Sequence, residues 1–186
     1  MGFKRLVDSK QDEARQLLQT YFNKVEEIFD VIETTRSNEN LQKLAISDCV
    51  ILVADENYFK DLLVAIRTFQ SRLALENIWI RGAVTFGEVC FQPEENLLVG
   101  PAYTRAYLLE ETQAEYARVI IDPKILKKLD TNRKDFCKEF NVPTSVHKFR
   151  PLVHDYNTLP RTTKDDAIFV SYATDIIARW DLEAGP

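Results

Sequence analysis

The first 75 residues follow a helix, hairpin, helix pattern of apolar and polar positions. From Gln11 to Thr35, apolar residues recur every three or four positions, which predicts one long amphipathic helix. The segment TTRSNEN, rich in residues that favour turns, then ends this helical repeat of apolar residues. The segments Gln42–Ile46 and Cys49–Ala54, the second rich in β-branched residues, predict a hairpin. A second apolar stripe predicts a helix from Tyr58 to Leu75.

The rest of the chain mixes short strands with short helices. NIWIRGAVTFGEVCFQ alternates like a strand, in which Gly82 and Gly87 are candidates for bulges or close backbone approach. Pro101 and the proline of PKILKKLD suit the first position of a helix, and RVIID between these helices predicts a strand. From Thr131 onward the pattern is less regular, with two strands predicted in VHKFRPLVHDYN and AIFVSYA. We therefore predict an α+β fold in a single domain spanning residues 1–186.

Composition narrows the class of protein. The chain has 186 residues, 45% hydrophobic and 28% charged, with a net charge of −5. Interspersed acidic and basic residues argue against broad binding to nucleic acid or to an anionic membrane. The longest apolar runs have the length of strands, and MGFKRLVDSK lacks the apolar region of a signal peptide. Three scattered cysteines predict reduced thiols in the cytoplasm and no zinc site.

Asp48 is the first candidate for chemistry, because it interrupts the apolar run from Leu44 to Ala54. It has three interpretations. It can bond its own backbone in the turn, form a buried ion pair, or bind a hard cation such as Mg²⁺. The residues alone leave all three open.

Two further segments suit an anion. Gly2 and Phe3 open the chain ahead of Lys4, and unpaired N–H groups at a helix start attract phosphate. A frayed terminus with solvated basic residues is the alternative. Arg81 lies in an otherwise apolar strand, where it needs a carboxylate or a phosphate as partner. A salt bridge at the margin of the sheet would serve equally well.

Taken in order, these segments resemble the class III nucleotidyl cyclases. MGF matches the end of the family's opening D-I-x-G-F pattern, SDCVILV its aspartate-bearing hairpin, and RGAVTFG a later strand of the type R-I-G-I-H-T-G. The resemblance runs from residue 1 to about Pro123. GPAYTRAYLLEETQAEYARVIID is most similar to the pyrimidine cyclases of the Pycsar antiphage system, which make cyclic UMP or cyclic CMP.

The resemblance implies a fold, a cofactor and a set of residues. The fold would be a ferredoxin-like βαββαβ core whose first strand is truncated here. Two Mg²⁺ or Mn²⁺ ions would act on UTP, or less favourably CTP, with Asp48 as a metal ligand. Phosphates would lie on Gly2, Phe3 and Lys4. Arg81 would face the substrate or the partner subunit of a homodimer, and a separate effector protein would read the product.

Three departures from the family pattern matter. The first metal-binding aspartate would lie ahead of Gly2. Lys43 stands one residue away from the position of the lysine that selects purine bases. The transition-state asparagine and arginine of the family correspond to Thr104 and Leu108, of which Thr104 can still donate a hydrogen bond. The rival hypothesis is a dimeric module of cyclase fold that binds a nucleotide or a regulatory partner without turnover.

Overall fold

The structure, a computed structural model, describes residues 11–35, 41–46, 49–114, 117–139, 141–142, 150–151, 153–155 and 168–170. In these residues helices alternate with short antiparallel and parallel strands. The predicted α+β class is confirmed.

Five α-helices are described. They are α1 (Gln11–Thr35), α2 (Phe59–Leu75), α3 (Pro101–Gln113), α4 (Pro123–Lys128) and α5 (Arg133–Glu139), with short 3₁₀ turns at Glu56–Tyr58 and Pro93–Glu95. Proline begins α3 and α4, as the sequence predicts, because a first helical residue needs no N–H partner. The helix α5 falls in the region from Thr131 that the sequence pattern describes as less regular.

Ten strands are described. They are β1 (Leu41–Ile46), β2 (Cys49–Ala54), β3 (Gly82–Val84), β4 (Cys90–Gln92), β5 (Leu97–Val99), β6 (Val119–Ile121), β7 (Asn141–Val142), β8 (Arg150–Pro151), β9 (Val153–Asp155) and β10 (Ile168–Val170). The largest sheet has the order β3-β6-β10-β9, in which β3 and β6 are parallel and the other neighbours antiparallel. Three separate hairpins, β1-β2, β4-β5 and β7-β8, complete the described strands.

The long strand predicted in NIWIRGAVTFGEVCFQ is wrong, because the segment divides into β3 and β4. Between them the chain bends toward α3, where the Thr85 hydroxyl donates to the Ala102 carbonyl at 2.9 Å. Gly87 has a φ of 152°, a conformation that favours glycine, and an added Cβ there would lie 3.5 Å from the Ala102 Cβ, an ordinary contact. The predicted close backbone approach at Gly82 is wrong, since an added Cβ would meet only the Val119 side chain, at an ordinary contact distance of 3.4 Å from Cγ2.

One apolar cluster lies between α1, the β1-β2 hairpin and α2. Its buried members are Tyr21, Val25, Ile28, Phe29, Ala65, Phe69 and Leu73. The rings of Phe29 and Phe69 pack with centroids 5.8 Å apart, and Leu52 of β2 contacts this cluster. The helical period of α1 therefore buries its apolar face as predicted.

A second cluster lies between α2, the largest sheet and the two short helices α4 and α5. Its buried members are Leu62, Leu63, Val84, Val119, Ile121, Ile125, Phe136 and Val170. Because α2 supplies side chains to both clusters, it links the hairpin side of the molecule to the sheet side.

Among the helices of the described residues, none combines the length and the apolar character needed to cross a membrane. The predicted single domain and the cytoplasmic location stay predictions.

Candidate functional site: a groove between two strand edges

A groove of about 1360 Å³ lies between β2 and β3, which belong to different sheets. Every residue of both strands lines it. Successive side chains of a strand point to opposite faces, so a groove that meets all of them runs along the edge of the strand. The groove is therefore bounded by two strand edges.

Neither edge has a strand partner within the described part of the chain. The other edge of β2 pairs with β1, and the other edge of β3 pairs with β6. Each edge facing the groove therefore presents backbone N–H and C=O groups without a sheet neighbour there.

The lining is mainly apolar, with an aromatic border. Leu62, Ile66 and Phe69 of α2 contribute to it, as does Tyr21 of α1. Four aromatic side chains line the groove and remain exposed, namely Trp79 (56%), Phe86 (45%), Tyr103 (39%) and Tyr107 (55%). Exposed aromatic side chains beside an apolar cavity favour binding of a ligand or a partner there.

Three charged side chains, those of Arg81, Asp55 and Glu56, are among those that line the groove near its two strands. Before β3, Arg81 pairs with Glu110 of α3, and its Nη1 also donates to the Ala114 carbonyl at 3.4 Å. After β2, Glu56 pairs with Lys128 at 3.3 Å. Asp55, directly after β2, is exposed and has no side-chain hydrogen bond or ion pair among the described residues.

The register of the β1-β2 hairpin bears on the strongest sequence-predicted residue, Asp48. Six antiparallel pairs join β1 to β2, and the last of them is Ile46 with Cys49. This register leaves Ser47 and Asp48 between the two strands, as the predicted hairpin requires. Asp48 itself lies outside the described residues, and so do Gly2, Phe3 and Lys4. Cys49, beside Asp48 in the chain, lines the groove.

Each of the three other predicted site residues already contacts another residue of the chain. Arg81 forms the salt bridge to Glu110 that the sequence left as an alternative to an anion-binding role. The Lys43 ammonium lies 4.7 Å from the centre of the Phe29 ring, a cation–π contact. The hydroxyl of Thr104 donates to the carbonyl of Gly100 at 3.3 Å. Of these three residues, Arg81 alone lines the groove.

Comparisons with protein-family models, with characterised proteins and with solved structures gave no match. The resemblance to class III cyclases therefore remains a prediction from the three ordered motifs.

The expected pair of divalent ions stays a prediction. Within the described ranges, no group of three or more His, Cys, Asp or Glu side chains is placed to hold a metal. Asp48, which would supply one carboxylate, lies outside those ranges. We therefore assign no reaction step to bound ions.

The sequence pattern did not predict the ion pair between Arg105 and the buried Asp122, which joins α3 to the start of α4. Asp122 is 1% exposed, and Arg105 binds both its carboxylate oxygens, through Nε at 2.6 Å and Nη2 at 2.9 Å. The backbone N–H of Lys124 donates to the same carboxylate at 3.0 Å. Burial by itself would raise the pKa of Asp122, but the hydrogen bonds from Arg105 and Lys124 outweigh it and lower that pKa.

The sequence around Asp122 indicates part of its role. Asp122 precedes Pro123, and an aspartate ahead of a proline is typical of a helix N-cap. Nothing in the spacing from Arg105 to Asp122 indicates that the two meet, because the contact depends on how α3 packs beside β6.

Proposed function

We propose that the protein is a metal-dependent pyrimidine nucleotide cyclase, which converts UTP, or less favourably CTP, to the cyclic 3′,5′-monophosphate and pyrophosphate. The product would act as a second messenger in antiphage defence, read by a separate effector protein. We place the enzyme in the cytoplasm as a homodimer with its sites at the interface.

The observation that carries this proposal is the register of the β1-β2 hairpin. It pairs Ile46 with Cys49, which leaves Ser47 and Asp48 as the connection in the chain, and Cys49 lines the groove. A carboxylate in the connection between two paired strands would suit a hard cation that also contacts substrate phosphates. The order of helix, hairpin, helix and strand agrees with the motif order of the cyclases.

In this proposal the predicted site residues would bind different parts of a nucleoside triphosphate. Asp48 would bind the metal ions, whose chemistry is to lower the pKa of the ribose 3′-hydroxyl and to offset phosphate charge. The backbone amides of Gly2, Phe3 and Lys4 would bind the phosphates. Such a reaction asks the protein mainly to position charge.

A non-catalytic, dimeric cyclase-fold module that binds a nucleotide or a regulatory partner is the second candidate. The contacts of Arg81, Lys43 and Thr104 favour it. Glu110 neutralises Arg81, the Phe29 ring holds Lys43, and Thr104 bonds within its own helix. For these residues to act on a substrate, each contact would have to be exchanged for a contact with the nucleotide.

The deciding experiment incubates the protein with each of the four ribonucleoside triphosphates and Mn²⁺, followed by chromatography of the products. We expect cyclic UMP or cyclic CMP. Asp48→Ala should reduce product formation by about a hundredfold or more, the scale of losing a group that stabilises developing charge.

Glu26→Gln is the matched control, because Glu26 is an exposed acid on α1 and should leave product formation unchanged. Nucleotide binding without any cyclic product would favour the non-catalytic module. Cyclic AMP or cyclic GMP alone would place the activity with purine substrates instead.

A further inference from the structure

Arg81 gives the groove its positive charge. Among the described residues that line the groove, Arg81 alone is basic, whereas Asp55, Glu56 and Glu110 are acidic. A phosphorylated ligand therefore depends on the Arg81 guanidinium for a cationic contact with this part of the lining. The Arg81 side chain is 50% exposed, so an anion from the solvent can reach it.

The protein already supplies an anion to this guanidinium. Oε1 of Glu110 lies against Nε of Arg81, and the Ala114 carbonyl accepts a hydrogen bond from Nη1 at 3.4 Å. Arg81 and Glu110 both line the groove, so their contact lies on the surface that a ligand would meet. The Glu110 carboxylate thus offsets the charge that a phosphate group would use.

The helix α3 itself disfavours an acid at this position. The C-terminus of a helix carries a partial negative charge, so a carboxylate in the last turn is slightly destabilising there. Glu110 lies in the last turn of α3, which contains no basic residue. Arg81, which directly precedes β3, supplies the compensating charge from outside the helix. The contact with Arg81 therefore explains the place of Glu110 better than helix stability does.

The contact between Arg81 and Glu110 is weak enough to be exchanged. Both side chains have access to water, and ion pairs of this kind contribute little to stability because the solvent screens them. A triphosphate carries several negative charges and can accept two hydrogen bonds from one guanidinium. It can therefore displace a single carboxylate from Arg81.

We propose that Glu110 is an internal competitor of the phosphorylated ligand for the Arg81 guanidinium, an autoinhibitory contact that a nucleoside triphosphate displaces when it enters the groove. The identity of the ligand rests on the proposed function. The competition itself rests on the contact between Arg81 and Glu110 and does not involve Asp48. Its consequence is a groove whose affinity for anions is held down.

The test measures the binding of inorganic tripolyphosphate, which cannot be cyclised, by isothermal titration calorimetry. Glu110→Gln keeps an acceptor for Arg81 but removes the charge, and should tighten binding about two- to fivefold, the scale of an exposed ion pair. Glu111→Gln makes the same change in net charge at the adjacent exposed acid outside the groove, and should leave the affinity unchanged. Arg81→Gln should weaken binding about tenfold or more.

A double substitution shows whether the effect passes through Arg81. In the Arg81→Gln background, Glu110→Gln should change the tripolyphosphate affinity no more than Glu111→Gln does, because the contested guanidinium is gone. Glu110→Ala removes the acceptor as well as the charge and should also tighten binding. If Glu110 merely oriented Arg81 for the ligand, Glu110→Ala would weaken binding instead.

Any of four results would overturn the proposal. Glu110→Gln could leave the affinity at the value of Glu111→Gln, Glu110→Ala could weaken binding, or the gain could persist without Arg81. Absence of tripolyphosphate binding in every variant is the fourth. Formation of cyclic UMP or cyclic CMP, measured separately on the same proteins, tests the proposed enzyme, so either idea can fail while the other stands.

Discussion

At the scale of single residues, Asp122 shows how one buried acid holds two helices in place. It caps α4 through the Lys124 N–H and receives both Arg105 bonds from α3. Because the side chain is 1% exposed, the carboxylate depends on these donors for its solvation. The pair is therefore a structural anchor for the helix that borders the groove.

We expect Asp122→Asn to lower the free energy of unfolding by roughly 1–3 kcal/mol at pH 7, the range for a disturbed buried polar partner. The pKa of Asp122 is lowered in the folded state from an ordinary value of 3.8. Its stabilising contribution is thus complete above that ordinary value and is lost as the pH falls from there through the lower folded pKa. Urea unfolding of both proteins at pH 7, 5, 4 and 3 measures this.

Glu94→Gln, at an exposed acid between β4 and β5, is the control and should change stability little at any of these pH values. If the difference between Asp122→Asn and the unmodified protein stayed constant from pH 7 to pH 3, the proposed role of the ionised carboxylate would be wrong.

At the scale of elements, the entry into α3 depends on a glycine. Gly100 has a φ of 153°, and an added Cβ would lie 2.6 Å from the Glu88 carbonyl oxygen and 2.8 Å from Val89 Cα. Backbone atoms cannot move aside as a flexible side chain can. The close approach of β5 and α3 to the segment before β4 therefore requires glycine at this position.

Gly100→Ala should destabilise the protein by about 1–3 kcal/mol, because it combines a strained backbone with a backbone clash. Gly82→Ala is the matched control, since its Cβ would make an ordinary contact of 3.4 Å with Val119 Cγ2. Thermal and urea unfolding should separate the two. Equal effects of both substitutions would contradict the close packing described at Gly100.

At the scale of the whole molecule, α2 couples two apolar clusters. Leu63 is fully buried in the cluster with the largest sheet, and Leu73 is fully buried in the cluster with α1 and the hairpin. A helix shared in this way makes each cluster depend on the other. This arrangement agrees with the prediction of one domain.

Leu63→Ala and Leu73→Ala should each lower the free energy of unfolding by about 2–5 kcal/mol through the cavity that they leave. Both should shift one common transition, followed by far-ultraviolet circular dichroism and by tryptophan fluorescence. Leu108→Ala, at a leucine that is 51% exposed, should have little effect. Two transitions, of which each variant moved only one, would contradict a single cooperative domain.

Local patterns predicted most of the elements because their physical causes are local. The helical period of α1, the prolines that begin α3 and α4, and the paired apolar segments around Ser47 and Asp48 all act within a few residues. For residues 77–92, the alternation of apolar and polar residues predicted one strand where the structure has two. There the bend between β3 and β4 comes from contacts with Ala102 in α3, which no pattern within the segment can reveal.

By itself, the sequence determined the class of fold, the faces that helices and strands bury, and the place of Asp48 between two paired strands. Only the tertiary structure decided which edges meet. The parallel pairing of β3 with β6, the ion pair of Arg105 with Asp122 and the groove beside β2 all join residues distant in the chain. The order of residues along the chain sets the local backbone conformation and the face to which each side chain points. Which side chains then meet depends on how whole helices and strands pack against one another.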